Sequence, residues 1–348
     1  MKDIEEGFAK YLEAKLGDAV GVQVSGAERI HGGASRETYR VRVTYSLNGE
    51  TAHRGMIIRR DPKSSLIETE RSTEFDAYTA FYRTKIPVPE PLFLEEENNE
   101  WLGRPFFVME EIEGCESGFQ GFNLKPYSEH IEEIGIAKWT ILGEIAKTDP
   151  IAVGLASKME MPGPGTCWKR ELDYWENVID QDELEPQPII RAAIRNLRKT
   201  PPPPPQAIGV VHGDYRTGNF LYDGTGAVRS ILDWEMCHLG DPLEDLAWAM
   251  TPLWGWPDAN RPGKLIERDR AIKIWEKTSG LNVNPEAFAW WETFACVKGL
   301  AIWISSSREY NDEKNQDPIM IISGWYCTDV HTRVLLDRLA PKGGVKSR

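Results

Sequence analysis

The sequence predicts an α+β chain of two lobes, a β-rich N-lobe spanning residues 1–110 and a mainly helical C-lobe spanning 111–348. Three observations point there. Strand patterns crowd the first third of the chain, while helical periodicity dominates after about residue 125. A length of 348 residues exceeds one average domain. Hydrophobic residues at 41% and charged residues at 27% are the proportions of a globular chain with a sizeable core.

Taken in order, residues 3–17 read as a helix, because Phe8, Leu12 and Leu16 recur at helical spacing. A hairpin follows: YRVRVTY (39–45) alternates in side-chain type, LNGE (47–50) supplies the turn, and GMIIR (55–59) returns. Residues 66–83 read as a helix with Phe75, Tyr78 and Phe81 or Tyr82 on one side. Pro87, Pro89 and Pro91 break the chain into an extended segment, and RPFFVME (104–110) is the last apolar strand of the lobe. Ile131, Ile134, Ala137, Ile141 and Ile145 then mark one helical stripe, and Trp168, Leu172, Trp175 and Ile179 a second. The run Pro201 to Pro205 is a stiff surface connector, with an SH3-type ligand as the lesser reading. Short strands around Val210 and Ile231 flank a loop, and helices follow from Leu243 onward, without an internal repeat.

Composition narrows the function. A formal charge of −13 argues against nucleic acid as a partner, since phosphate backbones are met by Lys and Arg stripes. No apolar run approaches the ~20 residues of a membrane-spanning helix, so no membrane partner is expected. The acidic, amphipathic first residues resemble neither a signal nor a transit peptide, which makes a cytoplasmic location the expectation. Five scattered cysteines form no C-x-x-C pair and point to reduced, mostly buried thiols. No feature specifies an oligomeric state.

The chemistry concentrates in HGDYRTGN (212–219), followed after a turn by ILDWE (231–235). Phosphoryl transfer from ATP needs an acceptor held in line, magnesium on the phosphates and positive charge over the phosphoryl oxygens. Hard Mg²⁺ takes oxygen ligands, and a further carboxylate must face the acceptor hydroxyl. Asp214, Asn219 and Asp233 are residue types that fill those needs.

These motifs resemble the aminoglycoside phosphotransferase and choline kinase-like family, whose catalytic loop reads H-G-D-x-x-x-x-N and whose metal motif reads I-D-W/F-E. The resemblance implies a protein-kinase-like fold using ATP and Mg²⁺. By it Asp214 looks like the catalytic base, while Asn219 and Asp233 look like the metal ligands. GDPLEDLA (240–247) also matches, and there Asp241 and Asp245 would brace the loop. The resemblance further places GGASRETY (32–39), with the backbone of Gly33 and Ser35, over the phosphates. It puts a cation at Arg59, where the family usually has Lys, with Glu74 as its ion-pair partner and Glu70 as the rival. Main-chain groups of Glu110 and Ile112 would hold adenine. Arg216, two positions after Asp214, would stabilise transition-state charge. Glu235 would touch a second metal or its water shell.

The acceptor is a small molecule carrying a hydroxyl group, aminoglycoside-like or another metabolite. The wider pattern HGDYRTGN with LDWEMCHLGDPLEDLAW resembles most the branch beside or fused to acyl-CoA dehydrogenases, which makes a hydroxyacyl compound the alternative. A nucleotide-binding regulatory module without catalysis is the rival from another class. A protein kinase is disfavoured, because no long activation segment separates Asp233 from Asp241. A zinc site of His212, Cys237 and His238 does not match a closed tetrahedral set. The C-terminal tryptophans are chiefly core, with Trp254 and Trp256 the pair nearest a substrate, and 308–314 a solvated loop.

Overall fold

The turn at Asn48 and Gly49 sets the register of the first sheet. Both residues have positive φ, 53° and 83°, as a two-residue hairpin that matches strand twist requires, and these two residue types tolerate it. In this computed structural model, which describes residues 1–30, 36–61, 71–117, 122, 124–255 and 258–340, the chain forms two compact units. The first comprises Met1–Gly118 with Phe220–Met236, the second Phe119–Asn219 with Cys237–Arg348.

The first unit runs α1 (Lys2–Leu16), β1 (Val20–Ile30), β2 (Glu37–Leu47), β3 (Glu50–Arg60), α2 (Arg71–Phe81), β4 (Pro91–Glu95), β5 (Phe106–Glu110) and β6 (Glu116–Ser117). The hairpin strands β2 and β3 pair without interruption from Glu37↔Arg60 to Leu47↔Glu50. The sheet order is β1-β2-β3-β5-β4. Ile4, Phe8, Tyr11 and Leu12 of α1 pack into one core with Val41, Val43, Met56, Ile58, Phe106 and Val108 of the strands. Of the helix read at 66–83, residues 66–70 lie outside the described residues, and the rest contains α2, which buries Glu74, Ala77, Tyr78 and Phe81 at helical spacing. The segment Phe220–Met236 adds β8 (Phe220–Tyr222) and β9 (Val228–Ile231), with β8 between β6 and β9. The Phe81 and Trp234 rings meet at 4.6 Å, and Ile231 donates its N–H to Pro87 O at 2.8 Å.

The second unit contains α3 (Ile131–Lys147), α4 (Cys167–Asp182), α5 (Pro188–Lys199), β7 (Gly209–Val211), β10 (His238–Gly240) and α6 (Leu243–Ala249). It continues with α7 (Pro252–Gly255), α8 (Arg268–Ser279), α9 (Pro285–Asn311), α10 (Pro318–Ile322) and α11 (Thr328–Leu339). Asn284 caps α9 by accepting from Glu286 N and Ala287 N, and Pro285 starts it. This helix is buried on nearly every side, so it forms the spine against which α4, α5, α6 and α11 pack. It runs to Asn311, so the stretch read as a solvated loop at 308–314 begins as helix. The α3 stripe is rotated from the expected one: Ile134, Lys138, Leu142 and Ile145 are buried, whereas Ala137 and Ile141 are half-buried. A buried lysine in that stripe is what the apolar pattern concealed. Among the described residues, no helix is long and apolar enough to cross a membrane.

Helix α11 docks on α9 through a fully buried histidine. His331 accepts a hydrogen bond at Nδ1 from Trp303 Nε1 at 2.9 Å, and a Cβ at Gly299 would collide with its ring. Burial pushes the imidazole down from 6.5 to about 4. Below pH 6.5 the unfolded chain takes up a proton that the folded chain refuses, so stability present at neutral pH drains away as pH falls towards 4. This one residue lowers the unfolding free energy at pH 5, relative to pH 7, by on the order of 2 kcal/mol. His331→Asn, which keeps an acceptor for Trp303, should flatten the pH dependence of urea unfolding; the same slope in both proteins refutes the assignment.

Candidate active site

In the second unit, residues 212–219 leave β7 and follow no regular ladder until the 3-10 turn Thr217–Asn219. Such a segment must find partners for its backbone elsewhere. Asp245 of α6 accepts from His212 N at 2.6 Å and Gly213 N at 3.0 Å. The buried Lys298 of α9 donates to Gly213 O at 2.6 Å and pairs with Glu244 at 3.1 Å. Gly213 itself sits at φ 88°, open to glycine. His212 Nδ1 accepts from Asp214 N at 3.1 Å, so this histidine braces the loop. The Tyr215 hydroxyl donates to Lys138 O at 2.7 Å.

The Asp214 carboxylate is held by three donors. Trp248 Nε1 reaches Oδ1 at 2.8 Å, while Asn219 Nδ2 at 2.8 Å and Arg216 Nε at 3.0 Å reach Oδ2. Asn219 Nδ2 also donates to Asp214 O at 2.9 Å. The Arg216 guanidinium lies 5.5 Å from the Trp254 ring, which leaves Trp254 half-buried beside the loop, and Trp256 lies outside the described residues.

Charge is managed by burial and pairing. Burial pushes Asp245 up to about 6 against the pull of its two backbone donors, and pushes Lys138 down to about 7. Burial works against charge on Glu244 and on His238 as well. There the ion pairs prevail: Lys298 and His238 hold the Glu244 carboxyl low, and Glu171 with Glu244 raises His238 to about 9. Glu171, His238 and Glu244 bring ligand atoms within 4.8 Å of one another, but His238 is already ion-paired to Glu244 at 3.2 Å and Glu171 at 3.7 Å. Of the trio His212, Cys237 and His238, His212 is thus engaged in bracing the loop, His238 in ion pairing, and Cys237 is a buried free thiol. Asp241 does not brace the loop. It accepts from Leu243 N at 3.0 Å and Trp291 Nε1 at 2.8 Å, tying the start of α6 to α9.

The first unit assembles the other expected residues. Arg59 of β3 is buried, with Nη1 3.2 Å from Glu74 Oε1 and Nη2 3.0 Å from Asp233 Oδ1. Glu235 lies 3.8 Å from the same Nη2. Burial would lower the Arg59 pKa, yet Glu74 and then Asp233 outweigh it and hold the guanidinium charged. Glu74 is fully buried, so this is no surface pair, and it also accepts from Arg36 Nε at 3.3 Å. The Tyr78 hydroxyl donates to Glu74 Oε1 at 3.2 Å and accepts from Asp233 N at 3.0 Å. Asp233 sits at φ 68°, in the left-handed region that Asp tolerates better than most residues with a side chain. Glu110 closes β5 with its N–H donated to Glu90 O at 2.9 Å, and Ile112 follows, half-buried. Gly33, Ser35 and Glu70 lie outside the described residues.

Oxygen donors suited to a hard divalent cation are present in both units. Asn219 spends its amide nitrogen on Asp214, which leaves the carbonyl oxygen as its ligating atom, and Asp233 offers a carboxylate. Three neighbours were missed in the sequence: Tyr78, Trp248 and Lys298. Each had a signal. Tyr78 is four residues after Glu74, Trp248 three after Asp245, and Lys298 stands alone in the apolar run FACVKGLAIWI (294–304).

Residues 26–281 match the model of the phosphotransferase enzyme family, APH. Acyl-CoA dehydrogenase family member 11 of Gallus gallus is 27% identical over 204 residues, which cover 58% of this chain and 25% of that protein. The chain thus spans about a quarter of the length of that relative. A Ralstonia eutropha JMP134 protein described as a candidate aminoglycoside phosphotransferase superposes with a TM-score of 0.71 at 19% identity, covering 96% of this chain and 97% of that one. A thermostable variant of aminoglycoside phosphotransferase APH(4)-Ia, in ternary complex with AMP-PNP and hygromycin B, gives 0.54 at 16% identity, covering 97% and 99%. These similarities carry the kinase-like fold.

The Lys298–Glu244 pair is buried on both sides, so removing one partner strands the other charge. Lys298→Met is expected to cost about 3–5 kcal/mol of unfolding free energy, and adding Glu244→Gln to recover part of it. A double variant no more stable than the single one, in urea titrations, would show that the pair does not act as a unit.

Proposed function

The chain belongs to the phosphotransferase enzyme family, and from that premise we propose that it is an ATP- and Mg²⁺-dependent kinase acting on a hydroxyl group of a small molecule. The observation that carries this reading is the Asp214 carboxylate, fixed by Trp248, Asn219 and Arg216 on a loop whose backbone is clamped by Asp245 and Lys298. In this reading Asp214 orients the acceptor hydroxyl and receives its proton as the new O–P bond forms. Arg59, held charged between Glu74 and Asp233, brings positive charge to the phosphate oxygens, and Arg216 offsets charge on the transferred group. Asn219 and Asp233 would hold the cation. Bound Mg²⁺ supplies positive charge to the phosphate oxygens. The backbone of Gly33 and Ser35 over the phosphates, and of Glu110 and Ile112 at adenine, completes the proposed nucleotide site.

For the acceptor, one observation favours the hydroxyacyl alternative over an aminoglycoside-like molecule. The π-turn Ser323–Cys327 and the preceding α10 expose Ile319, Ile322, Trp325 and Tyr326, with Trp325 77% exposed. An exposed apolar strip suits an acceptor with a hydrocarbon portion. The relative named for acyl-CoA dehydrogenases agrees with it.

ADP release from Mg-ATP across aminoglycosides, amino alcohols, sugars and hydroxyacyl thioesters tests both levels. We expect a hydroxyacyl compound to be turned over and Asp214→Asn to lower that turnover by orders of magnitude with ATP still bound. An aminoglycoside as the sole acceptor would reverse the choice of acceptor. ATP binding without ADP release under any acceptor would favour the regulatory module. Tyr78→Phe, which removes the acceptor for Asp233 N–H, should weaken Mg²⁺ by about 10–100-fold in a metal titration of that activity. An unchanged Mg²⁺ requirement would sever Tyr78 from the metal ligand.

A further inference from the structure

We propose that Trp248 is a positioning residue for phosphoryl transfer, an assignment that rests on Asp214 being the base. A carboxylate offers about four lone-pair positions on two oxygens. Asn219 Nδ2 and Arg216 Nε both fall on Oδ2, and Trp248 Nε1 takes one position on Oδ1. The remaining position is therefore on Oδ1, next to the indole. There the acceptor hydroxyl meets the base. Its O–H bond breaks with the proton passing to Oδ1, its oxygen bonds to the γ-phosphorus, and the bond from that phosphorus to ADP breaks with its electron pair left on ADP.

Trp248 differs from the other two donors in where it comes from. Asn219 and Arg216 belong to the same loop as Asp214 and move with it. Trp248 belongs to α6, one turn beyond Asp245, which grips the loop backbone. One helix face thus fixes both the peptide at 212–213 and the carboxylate at 214. The indole itself is immobilised: it is 1% exposed, the Lys298 ammonium lies 5.2 Å from its ring, and Trp254 packs on it edge-to-face at 5.4 Å. An indole N–H is a donor only and does not titrate, so it remains a donor to Oδ1 whether or not the proton has arrived. Rotation of the carboxylate would offer the hydroxyl a differently placed oxygen, and sub-ångström misplacement is costly for in-line transfer.

Trp248→Phe keeps an aromatic ring and deletes the donor. The test places this change on the wild-type chain and on Asp214→Asn, and follows Mg-ATP hydrolysis with water as the acceptor, KM for ATP and the melting temperature. Turnover should fall about tenfold or more in the wild-type background, with KM and melting temperature nearly unchanged. On Asp214→Asn the change should add nothing, because the carboxylate it positions is gone. In ¹⁵N-tryptophan-labelled protein, the Trp248 Nε1–H proton resonance should move upfield on Asp214→Asn. An equal fold-loss in both backgrounds overturns the proposal, as does full turnover in Trp248→Phe where Asp214→Asn is inactive. Full turnover in Asp214→Asn removes the base assignment itself, and the proposal with it. If Trp248→Phe does not fold, the resonance decides: an unmoved proton overturns the proposal.

Discussion

A loop without a ladder of its own depends on borrowed partners, and here the lender is one buried carboxylate. Asp245 takes both backbone N–H groups at 212 and 213, and Lys298 closes the clamp from the other side by donating to Gly213 O. Fixing one peptide in this way requires a buried cation, the cation requires Glu244, and Glu244 also pairs with His238, which pairs in turn with Glu171. Buried charges are tolerated only as paired sets. The position of residues 212–214 therefore depends on α4, β10, α6 and α9 together, and a core change that moves α9 reaches Asp214 through Lys298.

The first unit solves a related problem with different means. A lysine would bring a single nitrogen, whereas Arg59 meets Glu74 with one nitrogen of its guanidinium and Asp233 with another. Tyr78 adds a neutral link between the same two carboxylate residues, donating to one side chain and accepting from the other residue's backbone. The same hydroxyl thus meets the backbone of the left-handed Asp233. Arg59 is thus set among three carboxylates, Glu74, Asp233 and, farther off, Glu235.

What could be read from the sequence followed a physical line. Asp214, Asn219 and Asp233 stood out in the sequence because phosphoryl transfer calls for such residue types in such a motif. The α1, β2, β3 and β5 elements were legible from periodicity and from the Asn-Gly turn. By contrast β1 is exposed along most of its length, and its short alternation of Val20, Val22 and Val24 is interrupted by Gly21 and Gly26. Helix α5, with Ile190, Ala193, Ile194 and Leu197 buried, was hidden between arginines and the proline run. Lys138 and Lys298 were illegible as core residues, because a lysine is buried only when tertiary partners exist that no local window contains. Asp241 shows the converse limit. Its motif is right, yet its partner is Trp291, fifty positions away.

The exposed strand β1 stands first in the order of the main sheet. Its pairing with β2 shifts register between Val20 and Gln23 and again between Ser25 and Glu28, near Gly21 and Gly26, both at positive φ. Bulges re-aim the N–H and C=O groups along a strand, and Glu28 and Arg29 add exposed charge to it. A foreign extended chain that approached this border would find no straight row of donors and acceptors to copy. The irregularity that made β1 hard to read is thus also a guard against templated fibril growth when the protein is crowded or newly made.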